Sequence, residues 1–298
     1  MARRRAGQIH GSIAALPWIG PAVLLIAAIV LFPAGFMIWT STRDLSPYGI
    51  DRGPAGLENY SNLFAIDGLV RILVNTGVWV FGVVAITVVL SMALAQFLNK
   101  DFPGRRIIRL IVLVPWAASV VMTSTVIYYM LDPNVGIANR FFTDIGILED
   151  SYGFTKEPLS AFIVSIAVAV FVSIPFTTYT LLAGLQGIPN EVIDAADVDG
   201  ASSWQRYRDV ILPQLRPALA VAVIINIINV FNSLPILWVM TNSIAGNDAD
   251  TTTTLTFKLI RTSQQVDTAA AMSVFNFALI IVIIAVYLKF ARPMRGTD

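Results

Sequence analysis

Apolar residues fall in long unbroken blocks along this chain, separated by shorter polar stretches. Neither the two-residue alternation of a half-exposed strand nor the narrow stripe of a surface helix is present. A helix needs roughly 20 mostly apolar residues to cross the hydrocarbon layer of a bilayer. Six blocks meet that requirement, at about 17–40, 69–97, 108–131, 159–184, 217–240 and 268–290. The pattern predicts an all-α polytopic membrane protein with six transmembrane helices. Arg3, Arg4 and Arg5 precede the first block as they would in a signal peptide. No small-x-small cleavage site follows, however, and the block runs on to Trp39, so it reads as a retained helix.

The polar stretches set the orientation. Lys and Arg are retained on the cytoplasmic side of a membrane. With the N-terminus inside, the inner segments hold thirteen of the twenty basic residues and the longer outer segments seven. Both termini are therefore expected inside. Three outer loops follow, near 41–68, 132–158 and 241–267, each long enough for a short helix and a docking surface. The inner loop near 98–107 is tight, turning at Pro103-Gly104. The other, near 185–216, is long and mixed in charge. With no linker or repeat in the chain, residues 1–298 are expected to form a single transmembrane domain, its core spanning about 69–290.

Composition narrows the chemistry. Hydrophobic residues make up 56% of the chain and charged residues 13%, about half the usual share of a soluble domain. The net charge of +1 excludes a nucleic-acid footprint, and the lack of cysteine excludes disulfides and thiolate chemistry. An ionisable group at bilayer depth costs at least ~2.5–3.5 kcal/mol and is kept where it works. The stretches 72–98, 110–131, 159–190, 217–247 and 268–288 contain no Asp, Glu, Lys, Arg or His, and the single histidine, His10, precedes the first span. Proton relays, metal centres and acid–base catalysis within the membrane are thereby disfavoured. No phosphate-binding loop of the form GxxxxGK[ST] occurs, so ATP hydrolysis would have to reside in another chain.

Neutral hydrogen-bonding groups do occur in the spans. Asn226, Asn229 and Asn232 recur at a spacing of three, followed by Ser233 and Pro235. Trp116 and Tyr128 stand in the third span, and Pro175, Thr177 and Thr178 in the fourth. Residues three apart share a helix face, so the asparagines are expected to form a polar stripe. Amides and hydroxyls match the hydroxyls of an uncharged polyol, and aromatic faces pack its C–H faces. Helix-to-helix hydrogen bonding is the competing role for such groups. The two prolines mark either kinks or unwound backbone at a site.

Residues 188–217 read IPNEVIDAADVDGASSWQRYRDVILPQLRP. Asn190 suits an N-cap, with Glu191 and Asp194 favoured by the helix dipole in the first turns. Val192, Ala195 and Ala196 offer a shallow apolar face. Gly200, preceded by Asp199, suits a left-handed C-cap, and Ser202 to Gln205 matches a capping box. Pro213 and Pro217 interrupt the path into the fifth span. The expectation is a helix–Gly–helix hairpin.

This segment resembles the EAA motif of ABC-importer permeases, EAA-x3-G-x9-I-x-LP. Asp194-Ala195-Ala196 stands at EAA, Gly200 at the glycine, Val210 at the isoleucine and Leu212-Pro213 at LP. Asn75-Thr76, Pro115-Trp116 and Asp132-Pro133-Asn134-Val135-Gly136 with Asn139 are similar to the carbohydrate-importing, maltose-permease-like branch. The usual LTxGGP turn is degraded here to the stretch from Met240 to Gly246. The resemblance implies a permease fold with a cytoplasmic coupling hairpin. It also implies a bacterial inner-membrane location, and import of a sugar delivered by a periplasmic or lipoprotein binding protein. A second permease subunit would pair with the chain, and two cytoplasmic ATPase subunits would bind ATP and Mg, leaving this chain without a cofactor. Glu191, Asp194, Ala195, Ala196, Asp199, Gly200, Leu212 and Pro213 would then couple to the ATPase, and Asn226, Asn229, Asn232, Trp116 and Tyr128 would line the solute path. A permease for another neutral or weakly charged solute, such as a glycerophosphodiester, is the alternative. A stand-alone secondary carrier is the more distant one.

Overall fold

The computed structural model describes residues 17–241, 244 and 246–291. Arg3, Arg4, Arg5, His10, Arg292, Arg295 and part of the degraded LTxGGP turn lie outside the described residues. The chain is mostly helical and divides into two compact units. Of the described residues, one comprises those from 17 to 66 with 256–275, the other those within 67–255 with 276–291.

In the first unit, α1 (Pro17–Thr40) is a continuous apolar helix with a π-helical turn at Ala27–Leu31. A short antiparallel hairpin follows, β1 (Arg43–Leu45) and β2 (Asp51–Pro54), then α2 (Glu58–Phe64). Asn59 is buried and donates to the carbonyls of Ser41 and Arg43, tying α2 to the start of the hairpin. Arg43 forms a two-pronged pair with Asp51, and its guanidinium holds that carboxyl below the usual carboxylate range. The hairpin was not expected; its strands are three and four residues long, too short to register as alternation.

The second unit is a helical bundle. Its principal helices are α3 (Leu69–Asn99), α4 (Arg105–Ala117), α5 (Val120–Met130), the short α6 (Ile137–Asp144) and α7 (Pro158–Gln186). After these come α8 (Asn190–Val198), α9 (Ser203–Gln214), α10 (Arg216–Phe231) and α11 (Leu234–Thr241). The start of α12 (Thr252–Arg261) and the later part of α13 (Val266–Ala291) complete it. Two large apolar clusters lie in its interior among the described residues, beside a small one of Ala161, Ile244 and Ala249. Trp79, Val83, Phe162, Val168, Phe231 and Met240 belong to one, Leu98, Leu181, Leu185 and Leu215 to the other. Gly184 permits the close crossing of α7 and α10, since a Cβ there would stand 2.6 Å from that of Ala218.

Among the described residues four helices are long and apolar enough to cross a membrane, or up to six if two bent pairs, α4 with α5 at 91° and α9 with α10 at 65°, are each one span. Two expected spans are interrupted. The third is broken at Ala118-Ser119, where both residues are extended and α4 and α5 meet at 91°. Pro115, three residues earlier, has already removed one amide from the helical ladder. The fifth is interrupted at Asn232-Ser233, with Pro235 in the first turn of α11, where its missing N–H costs nothing. Pro175, by contrast, sits inside an unbroken α7. Short helices do occur in all three stretches expected to be outer loops. In the second, Asp132 accepts the amides of Asn134 and Val135, and a Cβ at Gly136 would collide with the carbonyls of Met130 and Asp132. Asn139, also buried, exchanges hydrogen bonds with the backbone of Tyr152.

Candidate functional site

A cavity of about 350 Å³ opens where the two interruptions meet. Trp116 and Val120 flank the break between α4 and α5, while Asn229, Val230, Ser233 and Ile236 flank the one between α10 and α11. Ala169, Val172, Ser173 and Phe176 of α7 form the back wall, with Asn226 beside them. Irregular backbone at membrane depth is tolerated only where it is buried in protein or borders a cavity. Both breaks satisfy that condition at one place. Among the described residues the lining holds no ionisable side chain.

The three asparagines separate. Three residues advance a helix by about 300°, so a spacing of three drifts by about 60° per step. Asn226 is buried against α7, its Nδ2 donating to Thr177 Oγ1 at 2.7 Å and to the Ala222 carbonyl at 2.8 Å. Asn229 is exposed in the cavity and makes no side-chain hydrogen bond among the described residues. Asn232 follows the last residue of α10, and its amide donates back to the Ile228 carbonyl at 2.8 Å, away from the cavity lining. The expected continuous stripe is thus corrected to a helix–helix clamp, a cavity group and a cap. Trp116 is 63% exposed and borders the cavity. Tyr128 does not; its hydroxyl accepts from Lys156 at 3.2 Å, and the same ammonium lies 5.5 Å from its ring centre. Ser173 and Phe176 were missed because nothing in their local pattern distinguishes them from their apolar neighbours.

The hairpin forms as its sequence implies, with one change at its start. Asn190 is the first helical residue and Pro189 takes the cap position, so Asn190 does not cap. At the other end, Gly200 adopts φ +75°, its amide donating to the Asp197 carbonyl at 3.1 Å and that of Ala201 to the Ala196 carbonyl at 3.0 Å. These are the two bonds of a Schellman closure. Ser202 and Gln205 then form the capping box of α9. Asp197 and Arg206 bridge the two helices at 2.6 Å. The Arg208 guanidinium holds the Asp209 carboxyl below its ordinary range.

Glu191, Asp194, Ala195, Asp199 and Gly200 are exposed, whereas Ala196 is buried. Leu212 is half-buried and, with Ile193, Tyr207 and Ile211, packs against the Leu98–Leu181–Leu215 cluster. It therefore joins the hairpin to the bundle. Pro213 lies half-buried at the exit from the π-helical stretch Arg206–Ile211. Two residues not anticipated stand out at the elbow, Val198 at 87% and Trp204 at 65% exposure. Each was hidden by its short, polar surroundings.

Residues 86–295 match the family described as the binding-protein-dependent transport system inner membrane component. A probable ABC transporter permease protein of Brucella suis is 34% identical, covering 90% of this chain and 93% of its own. The trehalose/maltose transport system permease protein of Thermococcus litoralis is 28% identical and covers 92% of both chains. Among solved structures, a chain of a bacterial ABC transporter involved in import of the acidic polysaccharide alginate superposes with a TM-score of 0.82. The two are 20% identical, over 98% of this chain and 100% of that one.

Proposed function

Since this chain belongs to the family of binding-protein-dependent transport system inner membrane components, we propose that it carries an uncharged sugar, a di- or oligosaccharide, across the bacterial cytoplasmic membrane. It is the permease of an ABC importer, a transport subunit and not an enzyme. The observation that carries the sugar reading is the meeting of two interrupted spans at one neutral, polar and aromatic cavity. A carboxylate or phosphate brought into that lining would lose its water without gaining a charged partner, at a cost of several kcal/mol per ion. The trehalose/maltose relative favours the same solute class. Alginate, the cargo of the structurally similar importer, is acidic, and this lining has no cation to receive it.

In this reading the chain is one transmembrane domain with six spans and both termini in the cytoplasm. A second permease subunit faces the open side of the cavity, and an external binding protein delivers the solute. The hairpin over 188–217 projects into the cytoplasm and docks on one of two ATPase subunits, which bind ATP and Mg and supply the energy. Glu191, Asp194, Ala195, Asp199 and Gly200, with Val198 and Trp204, form the docking face. Ala196, Leu212 and Pro213 anchor that face to the bundle. The hairpin must meet the two ATPase states with different contacts, since a partner with no such difference could not bias the permease. Asn229 and Trp116 receive the solute, aided by Ser173 and Ser233, while Asn226 holds α10 to the α7 wall beside them.

Uptake of radiolabelled trehalose and maltose into proteoliposomes holding the whole importer tests both sites. Gly200→Asp is expected to preserve membrane insertion while abolishing uptake. Normal uptake in Gly200→Asp would remove the hairpin from the coupling role, and wild-type uptake in both Asn229→Ala and Trp116→Ala would remove the cavity from the solute path.

A further inference from the structure

Where α10 ends at Phe231, its last carbonyls lose the amides that a continuing helix would supply. Side chains from elsewhere in the same unit reach two of them. Trp79 of α3, only 1% exposed, donates its indole N–H to the Val230 carbonyl at 2.8 Å. Thr253, in the first turn of α12, donates its hydroxyl to the Phe231 carbonyl at 2.8 Å. Both donors are themselves tied together. Thr76, one turn before Trp79, accepts the Thr252 amide at 2.9 Å, and Asn75 donates to the carbonyls of Asp248 and Asp250. The Val230 carbonyl also accepts the Ser233 amide at 3.1 Å, so the indole bond bears directly on the residue that turns the chain into the cavity.

Neither Trp79 nor Thr253 lines the cavity. We infer that they are positioning residues: through the main-chain carbonyls of Val230 and Phe231 they fix the interrupted end of α10, and so set where Asn229 and Ser233 stand. The inference rests on the cavity being the solute path, but the placement itself can be measured without solute. A role in packing alone would be served by any large aromatic at 79 and any β-branched residue at 253. A positioning role requires the indole N–H and the hydroxyl.

The chain has no cysteine, so Ser233→Cys and Ser173→Cys each give a single reporter on this chain, read from its own band after labelling of the assembled importer. The first stands on the interrupted segment and the second on the α7 wall of the same cavity. Their rates of reaction with N-ethylmaleimide are to be compared with and without Trp79→Phe or Thr253→Val. Losing one such bond corresponds to roughly a two- to tenfold change in a local equilibrium. We expect a change of that size at position 233, little change at 173, and restoration at 233 by Thr253→Ser. No change at 233 with either variant would overturn the inference, as would equal changes at both cysteines, which report general loosening. A wrong solute assignment leaves these rates untouched and appears instead in the uptake of Asn229→Ala.

Discussion

Asn226 and Asn229 carry the same amide, yet one turn of helix gives them different work. Asn229, exposed in the cavity, is the proposed partner of the solute, so Asn229→Ala should lower apparent solute affinity several-fold, the equivalent of about 0.5–1.5 kcal/mol. Asn232→Ala, outside the cavity, should leave uptake near wild type. Competition between labelled and unlabelled maltose in proteoliposomes ranks the two, and equal losses would contradict the assignment. Asn226→Ala removes the bond to Thr177 as well, so thermal unfolding in detergent should fall for this variant but not for Asn229→Ala. Backbone crowding gives a second kind of residue-scale expectation. At Gly136 an alanine meets two carbonyl oxygens with no side chain to move aside. Gly136→Ala should therefore unfold the turn after α5, seen as proteolysis between 131 and 154 of the folded chain. Unchanged protease resistance would show that the turn can relax.

Helices as units were legible in the sequence where length and apolarity alone decide them. The first, second, fourth and sixth blocks reappear as single helices within a few residues of their expected ends. The third and fifth do not, because a break depends on neighbours that supply replacement bonds. Pro115, Pro175 and Pro235 look alike in sequence, yet only the first and last accompany an interruption. Likewise nothing in the local sequence marks Trp79, whose indole N–H finds its acceptor at Val230, 151 residues away. Local chemistry was far more readable at the elbow, where Gly200 and the pair Ser202 and Gln205 find their partners within a few positions. That locality yields an expectation for α8 and α9. Gly200→Ala places a side chain at φ +75° and should cost about 1–2 kcal/mol. Hydrogen exchange of the Ala201 amide, bonded to Ala196, should rise accordingly. The exposed Asp197–Arg206 pair contributes little beside it, at most about 1 kcal/mol.

At the scale of the whole molecule, the apolar surface left uncovered is extensive. No residue in the apolar stretch of α1 is fully buried among the described residues, and few of those in the apolar stretch of α13 are. Such surface is stable only against lipid tails or another protein's helices. The energy source is also a property of the whole. Because the cavity lining contains no titratable group, proteoliposomes loaded with ATP should accumulate maltose equally well with and without a protonophore; collapse of uptake on its addition would point to a proton-driven carrier. The division of labour around the break in α10 has a further consequence. The side chains that line the cavity, Asn229 and Ser233, are not the ones that hold the break, and the break is held through peptide oxygens that every residue type possesses. Lineages descended from such a scaffold can exchange what they carry by swapping a few exposed side chains, generation after generation, while the framework beneath is inherited intact.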